Sequence, residues 1–272
     1  MVEIGQVPLV FNLFAIAFQI LPAMFFLSSR FRGLISKFYL RFLIGLGYFL
    51  ILGAGETHAN LTNVQWRLAL LMFLIIIAPE SKKIGWKVFD GVMLLLAGLS
   101  GPFVFFAFPL AGVYFYLKSF KKYVDRFVIL LVTFSIQIYS FLFIVSDATR
   151  STAPLGVSFS NFFKILAGDV FVRGILGVDY MRKVMGLEAW KNDFLPITFG
   201  ILGIFMLGYV FWKAQLEIKL FIVFCFLILA AGMASPQVSL VKPQWEVMKG
   251  GSGGRYYFFR RWLGCFPWVG FF

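Results

Sequence analysis

Residues 7–27, VPLVFNLFAIAFQILPAMFFL, run from Val7 to Leu27 without a single Asp, Glu, Lys or Arg. An α-helix of about 20 apolar residues is what the hydrocarbon core of a bilayer requires. Seven more apolar runs follow, near residues 38–54, 65–78, 84–99, 103–117, 127–145, 194–212 and 220–234. Over 272 residues the chain is 61% hydrophobic and 14% charged, more apolar surface than one soluble core can hide. The expectation is an all-α, multi-pass transmembrane bundle of about eight spans, a single integral membrane domain over residues 1–272.

Charge is read as confined to the connections, with apolar span centres. Arg30, Arg32, Lys37 and Arg41, then Lys82, Lys83 and Lys87, then Lys118, Lys121, Lys122 and Arg126 fall on one side of the bundle. The short opposing loops, 55–64 and 100–102, hold no basic residue. Basic short loops stay in the cytoplasm, so the chain is read as an integral protein of the cell inner membrane with its N-terminus outside. The net charge of +13 then belongs to the membrane surface and not to nucleic acid. Uncharged span centres also take weight from ion-coupled transport and voltage sensing, which use buried charges.

The runs 84–99 and 103–117 are short and joined only by Ser100-Gly101-Pro102. They read as either a tight helical hairpin or a re-entrant pair that turns within the membrane. The longest connection, residues 146–193, lies outside. Within it Phe162, Leu166 and Val170 recur at helical spacing, and Asp169 and Arg173 sit four apart as a surface pair. That pattern predicts an amphipathic helix in the outer interface, either covering the bundle top or helping to hold a lipid-linked substrate. The polar segment 235–261 contains GGSGGRYY at 250–257. The apolar tail 262–272 would reach only about 16 Å as a helix and reads as an incomplete span of a truncated or frameshifted product.

The candidate chemistry gathers outside. If the third helix begins early, Glu56, Asn60, Asn63 and Arg67 share one face at steps of four, three and four. A guanidinium suits a phosphate oxygen, amides suit hydroxyls, and a carboxylate can act as a base. Trp66 suits an interfacial belt or a sugar-stacking surface. The alternative is a polar helix entry whose groups bond one another or water. His58, the only histidine, is a proton shuttle or a solvated loop residue. Thr133, Gln137 and Ser140 form a seam in the sixth span, read as interhelical glue or as a polar path toward Asp147. Asp147 and Arg150 would join Glu56 at the outer end, and a mobile lid could deliver Arg255 and Tyr256 to an anionic substrate. Glu56 and Asp147 are the candidate catalytic carboxylates; Asn60, Asn63, Trp66, Arg67, Arg150, Arg255 and Tyr256 are the candidate substrate contacts. One histidine and two cysteines, Cys225 and Cys265, give no metal spacing and no disulfide framework, and no cofactor is identified.

The run Glu56–Arg67, the turn Leu99-Ser100-Gly101-Pro102-Phe103 and the segment Gly-Gly-Arg-Tyr-Tyr-Phe-Phe at 253–259 resemble features of bacterial polytopic membrane proteins. Those proteins in turn resemble GT-C class glycosyltransferases, which take sugars from polyprenyl-phosphate donors outside the cytoplasmic membrane. The resemblance spans about residues 40 to 259. It implies a glycosyltransferase, or its remnant, in envelope polysaccharide synthesis, with membrane lipid and a polyprenyl-phosphate-linked sugar as partners. The large first outer loop that carries the catalytic carboxylate in that class has no counterpart here, so no catalytic residue is carried over. A transporter or flippase component and a structural subunit without substrate are the alternatives. The first predicts a polar cavity through the bundle, the second a Glu56–Arg67 face buried against another helix. Oligomeric state is not read from the sequence.

Overall fold

A computed structural model describes residues 7–50, 58–143, 151–249 and 253–258. Among the described residues the chain is all-helical, with no strands. Four helices are long and apolar enough to cross a membrane: α1 (Val7–Leu27), α6 (Val124–Phe143), α10 (Phe194–Lys213) and α11 (Leu216–Ala234). The chain is thus of the multi-pass membrane type. Shorter helices are α2 (Phe38–Phe49), α3 (Val64–Ile77), α4 (Ile84–Leu99), α5 (Val104–Lys118), α7 (Phe159–Lys164), α8 (Arg173–Met185), α9 (Glu188–Lys191) and α12 (Gln244–Met248). The described residues fall into two compact units, one holding α1 to α6 and one holding α7 to α12.

In the N-terminal unit, α3 is apolar around its whole circumference, and a helix of that kind belongs in a core. Trp66 to Ile77 are all buried, against α1, α4 and α5. The α4 and α6 pair closes on Gly98, where an added Cβ would lie 2.5 Å from the Thr133 hydroxyl. Thr133 bonds back to Ile129 and Leu130 of its own helix, while Gln137 reaches across and donates to the Leu99 carbonyl at 3.0 Å. Of the predicted seam, then, Gln137 ties two helices together and Thr133 contributes close packing.

Asp90 corrects the reading of uncharged span centres, because it lies in the middle third of α4. Its Oδ2 accepts from Arg30 Nη2 at 2.7 Å and from Arg126 Nη2 at 2.9 Å. Arg126 also donates to the carbonyls of Ile75 (2.8 Å), Ala78 (2.6 Å) and Pro79 (3.2 Å). Arg41 does the same for α1, donating to Leu27 O at 3.0 Å and Ser28 O at 2.7 Å. The last carbonyls of a helix have no partners within it and carry its negative dipole end, so a guanidinium there is favourable. Of three residues counted as loop charges, Arg41 and Arg126 are therefore buried clamps at helix ends, and Arg30 is buried in its pair with Asp90.

In the C-terminal unit the segment with the helical apolar pattern is helical. Ser158 caps α7 by accepting from the Asn161 N–H at 3.1 Å. The chain then widens into a π-helical run, Ile165–Val172, before α8. Leu166 and Val170 are buried in a cluster with Leu229, Met233, Trp245 and Met248. The Asp169–Arg173 pair forms at 2.6 Å, but it is buried instead of lying on the surface. Helix α10 accepts this segment through two glycines: a Cβ at Gly200 would strike the Phe163 ring at 2.5 Å, and one at Gly203 would strike the Phe171 ring.

Candidate functional site

The polar residues around the α2–α3 connection form one network in the N-terminal unit. Helix α3 starts at Val64, after a 3-10 turn over Leu61–Asn63, and Asn60 is extended. The four-residue face expected from Glu56 to Arg67 therefore does not run through Asn60. Its side chain instead accepts from the Thr62 N–H at 3.0 Å and starts the turn. Asn63, Trp66 and Arg67 are buried, Arg67 to 1% exposure. The Trp66 indole packs edge-on against Phe103 at 4.7 Å.

Arg67 lies over the Tyr48 ring, its guanidinium carbon 4.8 Å from the centroid. A desolvated contact of that kind contributes about 2 kcal/mol. Arg67 Nη2 also faces His58 Nδ1 at 3.3 Å. Arginine only donates, so Nδ1 is the acceptor and the imidazole carries its proton on Nε2. The Gln19 amide fits the same assignment. Its Oε1 accepts the Ala59 N–H at 2.9 Å, which places its Nε2 against His58 Nδ1 at 2.8 Å. Tyr48 completes the network by donating its hydroxyl to the Gln19 carbonyl at 2.7 Å. Burial, and then the nearby Arg67 charge, lower the His58 pKa from its ordinary 6.5.

Helix lengths set the level of this network. Gln19 lies twelve residues beyond Val7, about 18 Å along α1 at 1.5 Å per residue. The α2–α3 connection therefore meets α1 well below that helix's first turn. The α4–α5 turn behaves likewise, because Gln137 holds Leu99 about 9 Å before the end of α6 and Gly101 lies against Gln65. Both connections form a polar shelf, with α1 and α6 rising past it. The α1 segment beyond the shelf is apolar and exposed at Leu9, Phe11, Leu13 and Phe14.

Glu56, Asp147 and Arg150 lie outside the described residues. Arg255 and Tyr256 belong to the C-terminal unit, where they fasten a loop. Arg255 Nη2 donates to Gln237 O at 2.9 Å, and the Gln237 N–H donates to the Tyr256 hydroxyl at 3.1 Å. The Tyr256 ring lies so close to Gly232 of α11 that an added Cβ would meet it at 2.9 Å. Among the described residues no group of three His, Cys, Asp or Glu side chains converges as metal ligands would.

Two members of the network, Gln19 and Tyr48, were not among the expected site residues. Gln19 had a signal in the sequence, since with Asn12 it is a lone amide in an otherwise apolar run. Tyr48 had none, because a tyrosine near a span end reads as a belt residue. No protein-family model matches the chain, and comparisons with curated proteins and with solved structures give no match either.

Proposed function

We propose that this is a bacterial inner-membrane protein that handles a polyprenyl-phosphate-linked sugar at the outer face, as a GT-C-like glycosyltransferase of envelope polysaccharide synthesis. In this reading the chain has about eight spans, its N-terminus outside, and an interfacial helix near residues 160–176. The observation that supports the reading is the polar shelf. A turn at membrane depth needs its backbone groups satisfied by protein or by a wet cavity, and Gln19 serves the Ala59 N–H in that way. His58, Asn60 and Gln65 are partly exposed at this shelf, and in this reading they meet the sugar phosphate while its lipid stays in hydrocarbon. In this reading Glu56 is the base and Asp147 a second carboxylate.

The test is sugar transfer from a polyprenyl-phosphate donor by the reconstituted full chain. Loss of transfer in Glu56→Gln and Asp147→Asn supports the reading, and full transfer in both removes these residues from the mechanism. A structural subunit without substrate is the second reading, favoured by the near-complete burial of Arg67, Asn63 and Trp66. It expects Arg67→Met to lower stability and no sugar substrate to be turned over.

A further inference from the structure

The C-terminal unit contains a cavity of about 610 Å³ between α10, α11 and the π-helical run. Its walls are apolar, with Phe162 and Leu166 on one side, Leu207 and Gly208 on α10, and Ala230 of α11 opposite. The one polar group in the wall is satisfied, as the Trp245 indole N–H donates to Met233 O at 2.9 Å. Native interiors hold few voids larger than a water, and an apolar cavity does not hold water stably. A space of this size lies within the range of small-molecule sites.

The rim shows where an occupant comes from. Phe226 is 60% exposed and Ile204 48%, on two helices of membrane-crossing length. Helix α10 also treats its glycines differently. The space beside Gly203 is filled by the chain's own Phe171 ring, whereas a Cβ at Gly208, five residues on, meets nothing within 4 Å. We infer that this cavity is a binding site for one long hydrocarbon chain of a membrane lipid, which enters sideways between α10 and α11. With no free donor or acceptor in its wall, the site selects a chain and not a head group. The inference goes beyond the sugar-transfer reading and does not depend on it.

Photolabelling of the full chain in nanodiscs of phosphatidylethanolamine and phosphatidylglycerol tests it. One probe is phosphatidylglycerol with a diazirine in its acyl chain; the other is a polyprenyl phosphate with a diazirine in its isoprenoid chain. Adducts mapped by mass spectrometry are expected to concentrate near Gly208 and Ala230. Gly208→Phe, whose Cβ meets nothing within 4 Å, puts a ring into the cavity and should cut the yield about tenfold, the loss expected when a few buried methylenes are expelled. Gly112→Phe, equally open but on α5, should leave the yield unchanged. Should the Phe variant lose its monodisperse elution, Gly208→Leu serves in its place. Preference for the acyl probe identifies a structural phospholipid, and preference for the isoprenoid probe a lipid carrier; either supports the site. Adducts spread evenly over all exposed helices, or a yield that neither Gly208 variant lowers, overturn it.

Discussion

The N-terminal unit buries five charged side chains: Arg41 and Arg126 at helix ends, Asp90 within α4 with Arg30 paired to it, and Arg67 beneath the α2–α3 connection. Among its described residues the C-terminal unit buries one ion pair, Asp169–Arg173, and it also holds an apolar cavity. The difference concerns what fixes helices in place. In the first unit, ends and turns are fastened by guanidinium and amide groups that leave little slack. In the second, helix meets helix through glycines and aromatic rings, and the glycine beside the cavity, Gly208, is left uncovered.

Removing Asp90 should break the comparison most severely. Asp90→Ala leaves the Arg30 and Arg126 charges buried without their carboxylate, at a cost of about 3–5 kcal/mol, read as a fall in the unfolding midpoint of the purified chain. Next in size is the contact at Gly98. Gly98→Leu drives into the Thr133 hydroxyl and should cost about 1–3 kcal/mol, with partial rescue by Thr133→Ala. Gly208→Leu, the same change made beside the cavity, should leave the midpoint nearly unmoved, and an equal loss at both positions would erase the distinction between the units.

Smaller effects sharpen the picture of the shelf. Ala59 sits at φ +46, a left-handed conformation that costs a non-glycine residue about 1 kcal/mol, so Ala59→Gly should stabilise the chain by up to that amount. The His58 pKa is lowered on folding, so below 6.5 the unfolded chain binds more protons than the folded one. The stability that His58 contributes is therefore complete above pH 6.5 and declines as the pH falls below it. Unfolding midpoints measured across that window should lose this slope in His58→Gln.

The sequence made the apolar helices legible because length and composition alone decide whether a helix can cross a bilayer. It also led to the α4–α5 turn, through Ser100-Gly101-Pro102. It misled at Asp90, since one carboxylate in an apolar run has no visible partner when Arg30 and Arg126 lie 60 and 36 residues away. Arg67 was legible as an unusual cation near a helix start, but not its burial, which depends on Tyr48 and His58 being folded over it. The cavity left no trace in the chain, because an uncovered glycine and a covered one, Gly208 and Gly203, are the same letter.

The Arg126 clamp carries a consequence for biosynthesis. Helix α3 ends at Ile77, yet the guanidinium that satisfies the carbonyls of Ile75, Ala78 and Pro79 belongs to a residue made about fifty positions later. A nascent chain that has made α1 to α5 holds Asp90 with one of its two arginines, and of the carbonyls at the end of α3 it has served Ile77 through the Tyr114 hydroxyl but not those that Arg126 takes. The arrival of α6 supplies the second arginine of Asp90 and the last caps of α3 with one side chain.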